Sequence, residues 1–373
     1  MPHRFDQIFL HVGLGKTGTS SIQKYFELNR DYYIDNHSLL YPILESEKRP
    51  FRENHGILVS TLFHKNSNLK PINRRFSQEE FKVYTQVLRE ELTSQLDNST
   101  CSSLLISGEG ILNLKKDELG QFIAWLQEYS VNIIVICCVR NPIESFRSMI
   151  QQRLKDGVNI SSIFNPNILG TQRKQLIQPH TKKFKSIVYS FDESRTWNEG
   201  VLGYFVKQLG LPEHALRSAD PQKVINRGLG IEATLLLATY NVVYKVTRNN
   251  YQPPHRHILR LKKFNGNKVF IPQGFVKEHE AAFTKELDWF CAVCKSTASH
   301  VLEEPDLEVS EEFMEQLESE IKSIDIVDLR KIFNAALTAY NQCRYEDIFS
   351  LLSPVVIEIF DKKKDSSNKT INS

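Results

Sequence analysis

The chain has 373 residues, 41% hydrophobic and 24% charged, with 47 Lys and Arg against 44 Asp and Glu for a formal net charge of +3. That composition belongs to a globular protein and excludes bulk disorder and collagen-like or repeat architecture. The near-even charge also speaks against a general nucleic-acid binder, which is usually far more basic.

Residues 1–6 run straight into an apolar segment, so a secretory leader is not expected. Residues 7–12 form the first of four short apolar runs, followed by 103–107, 132–139 and 186–189. All four lack alternation, as expected of parallel strands covered on both faces. The run 7–12 leads into Gly13-Leu14-Gly15-Lys16-Thr17-Gly18-Thr19-Ser20, and a helix with Ile22, Tyr25 and Phe26 on its inner face follows. Glycines that admit close approach, a helix N-terminus and a lysine together predict an anion site. The loop is not a Walker A sequence, because Thr19 stands where that motif has its lysine and Lys16 precedes the second glycine. No acidic residue at the end of 132–139 is available to hold the Mg²⁺ of an NTPase.

Residues 31–77 are less regular and read as a lid or substrate-facing insertion containing His55. Ser77 and Glu80 make a capping box, ahead of Phe81, Tyr84, Leu88, Leu92 and Leu96 at helical spacing. The strand 103–107 delivers Glu109 just beyond its end, and a helix then carries Phe122, Leu126 and Tyr129. The strand 132–139 ends in Arg140-Asn141-Pro142, where Pro142 suits the first turn of a helix with Ile143, Phe146 and Ile150 inward and Ser148 on it. Arg140 at a strand end can hold a phosphate in bidentate fashion, or it pairs with a carboxylate.

The stretch 231–246 carries Glu232, Asn241 and Lys245 and is shorter than the roughly 20 residues a membrane crossing needs, so it reads as a buried helix. Residues 182–185 and 248–268 are basic, 310–321 read as a helix, and 361–373 as a disordered tail. Six cysteines are too few for a disulfide scaffold, and Cys291-x-x-Cys294 without a second pair reads as helix packing rather than a zinc site. A reducing, cytoplasmic setting with no metal is the expectation. Alternating strands and helices argue for an α/β fold with a mainly parallel sheet.

The loop Lys16-Thr17-Gly18-Thr19-Ser20 between strand and helix resembles the 5′-phosphosulfate loop of the sulfotransferases that use PAPS, 3′-phosphoadenylyl sulfate. Arg140 with Ser148 eight positions later resembles the same family's 3′-phosphate signature, and the likeness extends loosely over about 7–240. The resemblance implies a P-loop-type three-layer α/β domain over 1–360, with the core at about 7–240, the insertion at 31–77 and a helical extension at 241–360. It implies sulfuryl transfer from PAPS to a hydroxyl or amine acceptor, a carbohydrate or small metabolite, with release of PAP. Gly15, Lys16, Thr17, Gly18, Thr19 and Ser20 would hold the 5′-phosphate, and Lys16 would also act in catalysis. Arg140 and Ser148 would hold the 3′-phosphate, and Arg227 is carried over from Ile225-Asn226-Arg227-Gly228. Glu109 is the first candidate base and His55 the second. Against those roles, Glu109 can cap the next helix or pair with Lys16, and His55 can be an ordinary loop histidine. His11, inside a buried strand, reads as structural or as a wall of the cleft.

Two departures stand out. Ser21 and Ile22 occupy the region where one branch has an adenine-stacking tryptophan, and its Arg-Lys-Gly loop is only echoed by Arg227-Gly228. The alternatives are a P-loop kinase or NTPase and a non-catalytic nucleotide- or glycan-binding relative. Beyond the donor, the partner expected is a hydroxyl-bearing acceptor, with the basic stretches suiting an anionic glycan; no nucleic acid and no membrane span are expected.

Overall fold

Five strands pair in parallel: β1 (Gln7–His11), β2 (Leu39–Leu40), β3 (Ser103–Ser107), β4 (Ile133–Val139) and β5 (Lys185–Ser190), in the order β2-β3-β1-β4-β5. The computed structural model describes residues 4–45, 52–63, 77–165, 167, 169–170, 184–216, 228–246, 253–295 and 305–361. Every residue of β3 and β4 is buried, which is why these strands carry Leu, Ile, Val and Cys without polar alternation. β2, with two residues, lies in the stretch the sequence marks as irregular. Two residues are too short to show a period, and pairing with Ser103 and Leu104 of β3 creates the strand.

The chain divides into two compact units. The first comprises Met1–Asn141, Gly170–Lys223 and Trp289–Thr297. It holds the sheet together with α1 (Thr19–Leu28), α2 (Arg30–His37), α3 (His55–Phe63), α4 (Gln78–Asp97), α5 (Lys116–Gln127), α7 (Phe191–Thr196) and α8 (Gly200–Gln208), so this unit is an α/β fold with a parallel sheet flanked by helices. On one sheet face Phe9, Leu105, Ile134, Ile136 and Cys138 bury with Ile22, Tyr25 and Phe26 of α1, Tyr33 of α2 and Phe205 of α8. The capping box that opens α4 is formed: Glu80 N–H donates to Ser77 Oγ, and Ser77 N–H to Glu80 Oε2.

The second unit comprises Pro142–Leu169, Val224–Asp288 and Ala298–Ser373. It includes α6 (Pro142–Lys155), α9 (Ile231–Val243), α10 (His255–Leu261), α11 (Gln273–Glu278), the first part of α12 (Glu280–Cys294), α13 (Glu311–Glu318), α14 (Ile326–Asn341) and α15 (Tyr345–Asp361). Sequence order groups α6 with the first 240 residues, but Ile143, Phe146, Ile150 and Leu154 bury in the same cluster as Leu235 and Leu236 of α9 and Val355 and Val356 of α15. Asn241 Nδ2 of α9 donates to Leu154 O at 2.8 Å. α9 is buried from Ile231 to Asn241, as its apolar run predicts, and Glu232 within it accepts from the N–H groups of Asn267 and Ser310. Among the described residues no helix is long and apolar enough to cross a membrane. The tail 361–373 lies outside the described residues apart from Asp361, the last residue of α15.

Phe205 is fully buried against Phe26 and His11, with ring centroids 5.8 and 4.6 Å away. Phe205→Ala should therefore destabilise the sheet unit by about 3–5 kcal/mol, measured as a lowered denaturation midpoint.

Candidate functional site

All strands run in parallel, so the loops after β1, β3, β4 and β5 emerge at one edge. In register, His11 pairs with Ser107 of β3 and with Ile136 of β4. The chain leaves β1 for β2 and later returns across it to β4, and such a reversal is where open α/β sheets bind ligands.

The loop from Val12 to Gly18 is held by short-range constraints. A Cβ on Gly13 would come within 2.2 Å of Thr19 Cγ2 and 2.9 Å of His11 Nε2, so no side chain fits there. Gly18 has φ +78 and packs on Val201 and Phe191, and it opens α1 without any side-chain cap on the helix's first N–H groups. Lys16 is exposed and has φ +69. Four other non-glycine described residues have positive φ (Ser38, Lys245, Lys295 and Cys343), and each closes a helix C-terminus, where that conformation is usual. Lys16 closes no helix. An unfavourable backbone held outside a cap is the kind of strain that collects at functional loops.

Glu109 lies on the turn after β3. Its Oε1 accepts a hydrogen bond from Thr19 Oγ1, and its Oε2 lies 3.9 Å from where a Cβ on Gly15 would stand. The carboxylate is thus set against the loop. It does not cap a helix: Glu109 is the first residue of a 3-10 turn whose N-cap, Gly108, has no side chain. Thr17 Oγ1 donates to Leu14 O, so the hydroxyls of Thr17 and Thr19 both face inward, and Ser20 stays exposed.

His55 is buried at the start of α3, with Nε2 2.7 Å from Pro42 O and Nδ1 2.9 Å from Ser107 N. A carbonyl only accepts and an amide N–H only donates, so the ring is neutral with its proton on Nε2. Burial lowers its pKa to about 4. Both nitrogens are engaged, which leaves His55 no lone pair to take a substrate proton. His11 Nδ1 lies 2.8 Å from Ser107 Oγ, its Nε2 has no hydrogen-bond partner among the described residues, and burial lowers its pKa to about 3. Ser107 thereby joins two buried imidazoles, a role its strand-end position does not announce. A polar pair at the ends of adjacent buried strands was the available signal, since buried polar groups need partners.

Arg140 follows β4. Its Nη1 donates to Lys16 O at 3.4 Å, and its guanidinium lies 5.2 Å from the ring centre of Phe191. Arg195 lies over the same ring at 5.9 Å. Asn141 N–H donates to Asp192 Oδ2 at 3.1 Å, tying this loop to the first turn of α7. The aromatic at 191 had no sequence signal beyond following a strand. Lys16, Glu109 and Arg140 are therefore brought to one loop, with Gly15, Thr17, Gly18, Thr19 and Ser20. Ser148 lies on α6 in the second unit, and Arg227 lies outside the described residues. In the basic stretch, Lys268 pairs with Glu144 at 2.9 Å and Arg260 pairs with Glu320. Lys182, Lys183 and Arg248 lie outside the described residues.

No family model, curated protein or solved structure matches the chain.

The two neutral imidazoles set a pH dependence. Their folded pKa values lie below the unfolded value near 6.5, so the stability they allow is complete above pH 6.5 and declines as pH falls toward 4. The slope should approach about 1 kcal/mol per pH unit for each ring. Unfolding midpoints measured between pH 7.5 and 4.5 should fall accordingly, and a flat profile would contradict buried neutral histidines.

Proposed function

We propose that the protein transfers a sulfuryl group from PAPS to a hydroxyl acceptor. The observation that carries this reading is the convergence of an exposed lysine in a left-handed conformation, an arginine on that lysine's carbonyl and a carboxylate beside Gly15 on one loop at the sheet's C-terminal edge. Two cations and a helix N-terminus without a side-chain cap suit a doubly phosphorylated donor. The sequence likeness of Lys16 to Ser20 and of Arg140 with Ser148 names which donor.

In this scheme the donor's 5′-phosphate rests on the first-turn N–H groups of α1, beside Lys16. The acceptor oxygen attacks sulfur in line. An S–O bond forms, and the bond from sulfur to the 5′-phosphate oxygen breaks. The electron pair leaves with PAP, whose growing charge Lys16 neutralises. The acceptor proton goes to Glu109, whose Oε2 faces Gly15 while Oε1 is held by Thr19. His55 is not given the base role, since neither of its nitrogens is available. The positive charge the reaction needs comes from side chains, so the scheme calls on no metal. Arg140 takes the 3′-phosphate.

Calorimetric titration with PAP and ATP, followed by transfer of labelled sulfate from PAPS to a panel of hydroxyl acceptors, tests the reading. PAP should bind more tightly than ATP; tighter ATP binding would favour a kinase or NTPase, and PAP binding without any transfer a non-catalytic relative. Lys16→Ala should lower kcat by about 100- to 1000-fold, the loss usual for one preorganised donor at a developing anion. Glu109→Gln should abolish most turnover while leaving PAP affinity near wild type. Arg140→Ala should mainly weaken PAP binding.

A further inference from the structure

Glu109 has a glycine on each side, and both pack directly on the insertion. A Cβ on Gly108 would lie 2.1 Å from Gly56 N, 2.3 Å from Gly56 Cα and 2.9 Å from His55 C. A Cβ on Gly110 would lie 2.9 Å from Gly56 O. The fit is reciprocal, since a Cβ on Gly56 would lie 2.6 Å from Gly110 N and 3.1 Å from Glu109 N. These contacts are backbone on backbone, with no flexible side-chain end that could move aside.

Directed bonds reinforce the packing. His55 Nδ1 accepts the N–H of Ser107, the residue before Gly108. Its Nε2 donates to Pro42 O, and the ring of Tyr41 lies 4.4 Å away. Asn54 Oδ1 accepts from Gly56 N at 2.9 Å, and Tyr41 OH donates to Glu53 O at 2.6 Å. Residues 41–42 are thus bonded to residues 53–55, and His55 and Gly56 abut the turn carrying Glu109. On the other side, Thr19 grips the carboxylate.

We infer that His55 and Gly56 are positioning residues, a clamp in the insertion that fixes the backbone on both sides of Glu109 so that its carboxylate meets the loop of Lys16. The inference rests on the proposed reading in that Glu109 is taken as the base. Neither residue touches the reacting atoms. Their effect is on where the carboxylate stands, and a displacement of about 1 Å at a reacting group can lower a rate about 100-fold.

Three variants test it, with hydrogen exchange of the peptide covering 104–112 as a readout that needs no activity. His55→Asn keeps an acceptor near the Nδ1 position for the Ser107 N–H but has no basic nitrogen. It should retain kcat within about three-fold and near-native exchange, whereas a catalytic base at 55 would lose turnover altogether, as an amide cannot take the proton. His55→Ala and Gly56→Ala should speed exchange in 104–112, lower kcat about 100-fold and leave PAP affinity within two-fold. Loss of turnover in His55→Asn with native exchange would overturn the clamp in favour of His55 as base. Native exchange and native kcat in Gly56→Ala would overturn it outright. If wild-type protein neither binds PAP nor transfers sulfate, the proposed function fails, while the exchange arm still decides whether the clamp exists.

Discussion

The site depends on β1 being bonded along both edges. Parallel pairing with β3 and β4 takes up the strand's backbone groups, and the register sets His11 beside Ser107 on one side and Ile136 on the other. Everything the edge carries is counted from that register. Glu109 stands two residues past Ser107, Arg140 four past Ile136, and the loop of Lys16 begins directly after His11. A slip in pairing would part the three charged groups, because successive strand residues advance by about 3.3 Å and alternate faces.

Beneath that edge lies a polar layer unusual for a buried parallel sheet. His11, Ser107 and His55 are all nearly inaccessible, and a chain of hydrogen bonds runs from His11 through Ser107 to His55 and on to Pro42 O. Burial keeps both rings neutral. A neutral ring can accept on one nitrogen and donate on the other, so it can join two backbone segments where a charged one would need a counter-ion. The layer's function is geometric: it ties β1, β3 and the insertion together under the loops that hold the charges.

The charges above are arranged by backbone as much as by side chain. Lys16 is displayed by its left-handed conformation, and its carbonyl receives Arg140. Phe191 and Val201 close the underside of Gly18, while Phe191 carries Arg140 and Arg195 over its ring. The site is thus a loop packed from below by α7 and α8 and faced from the side by Glu109. The second unit has its own aromatic and aliphatic core, and α6 belongs to it even though it follows β4 in the chain.

Local chemistry alone determined a good deal. The four apolar runs became β1, β3, β4 and β5 within a residue at their ends, the capping box at Ser77 formed, and the glycine-lysine loop sits between strand and helix. These features are short continuous runs or stand within one turn, so neighbours in the chain suffice to specify them. Tertiary structure decided what each polar side chain does. His55 meets Ser107 from 52 positions away, Thr19 meets Glu109 from 90 and His11 meets Ser107 from 96. No local pattern encodes such partners, and for that reason a histidine of suitable pKa for base chemistry in free solution is here a neutral tie between backbones. The two-residue β2 and the allegiance of α6 were decided the same way, by pairing and packing with distant segments rather than by their own residues.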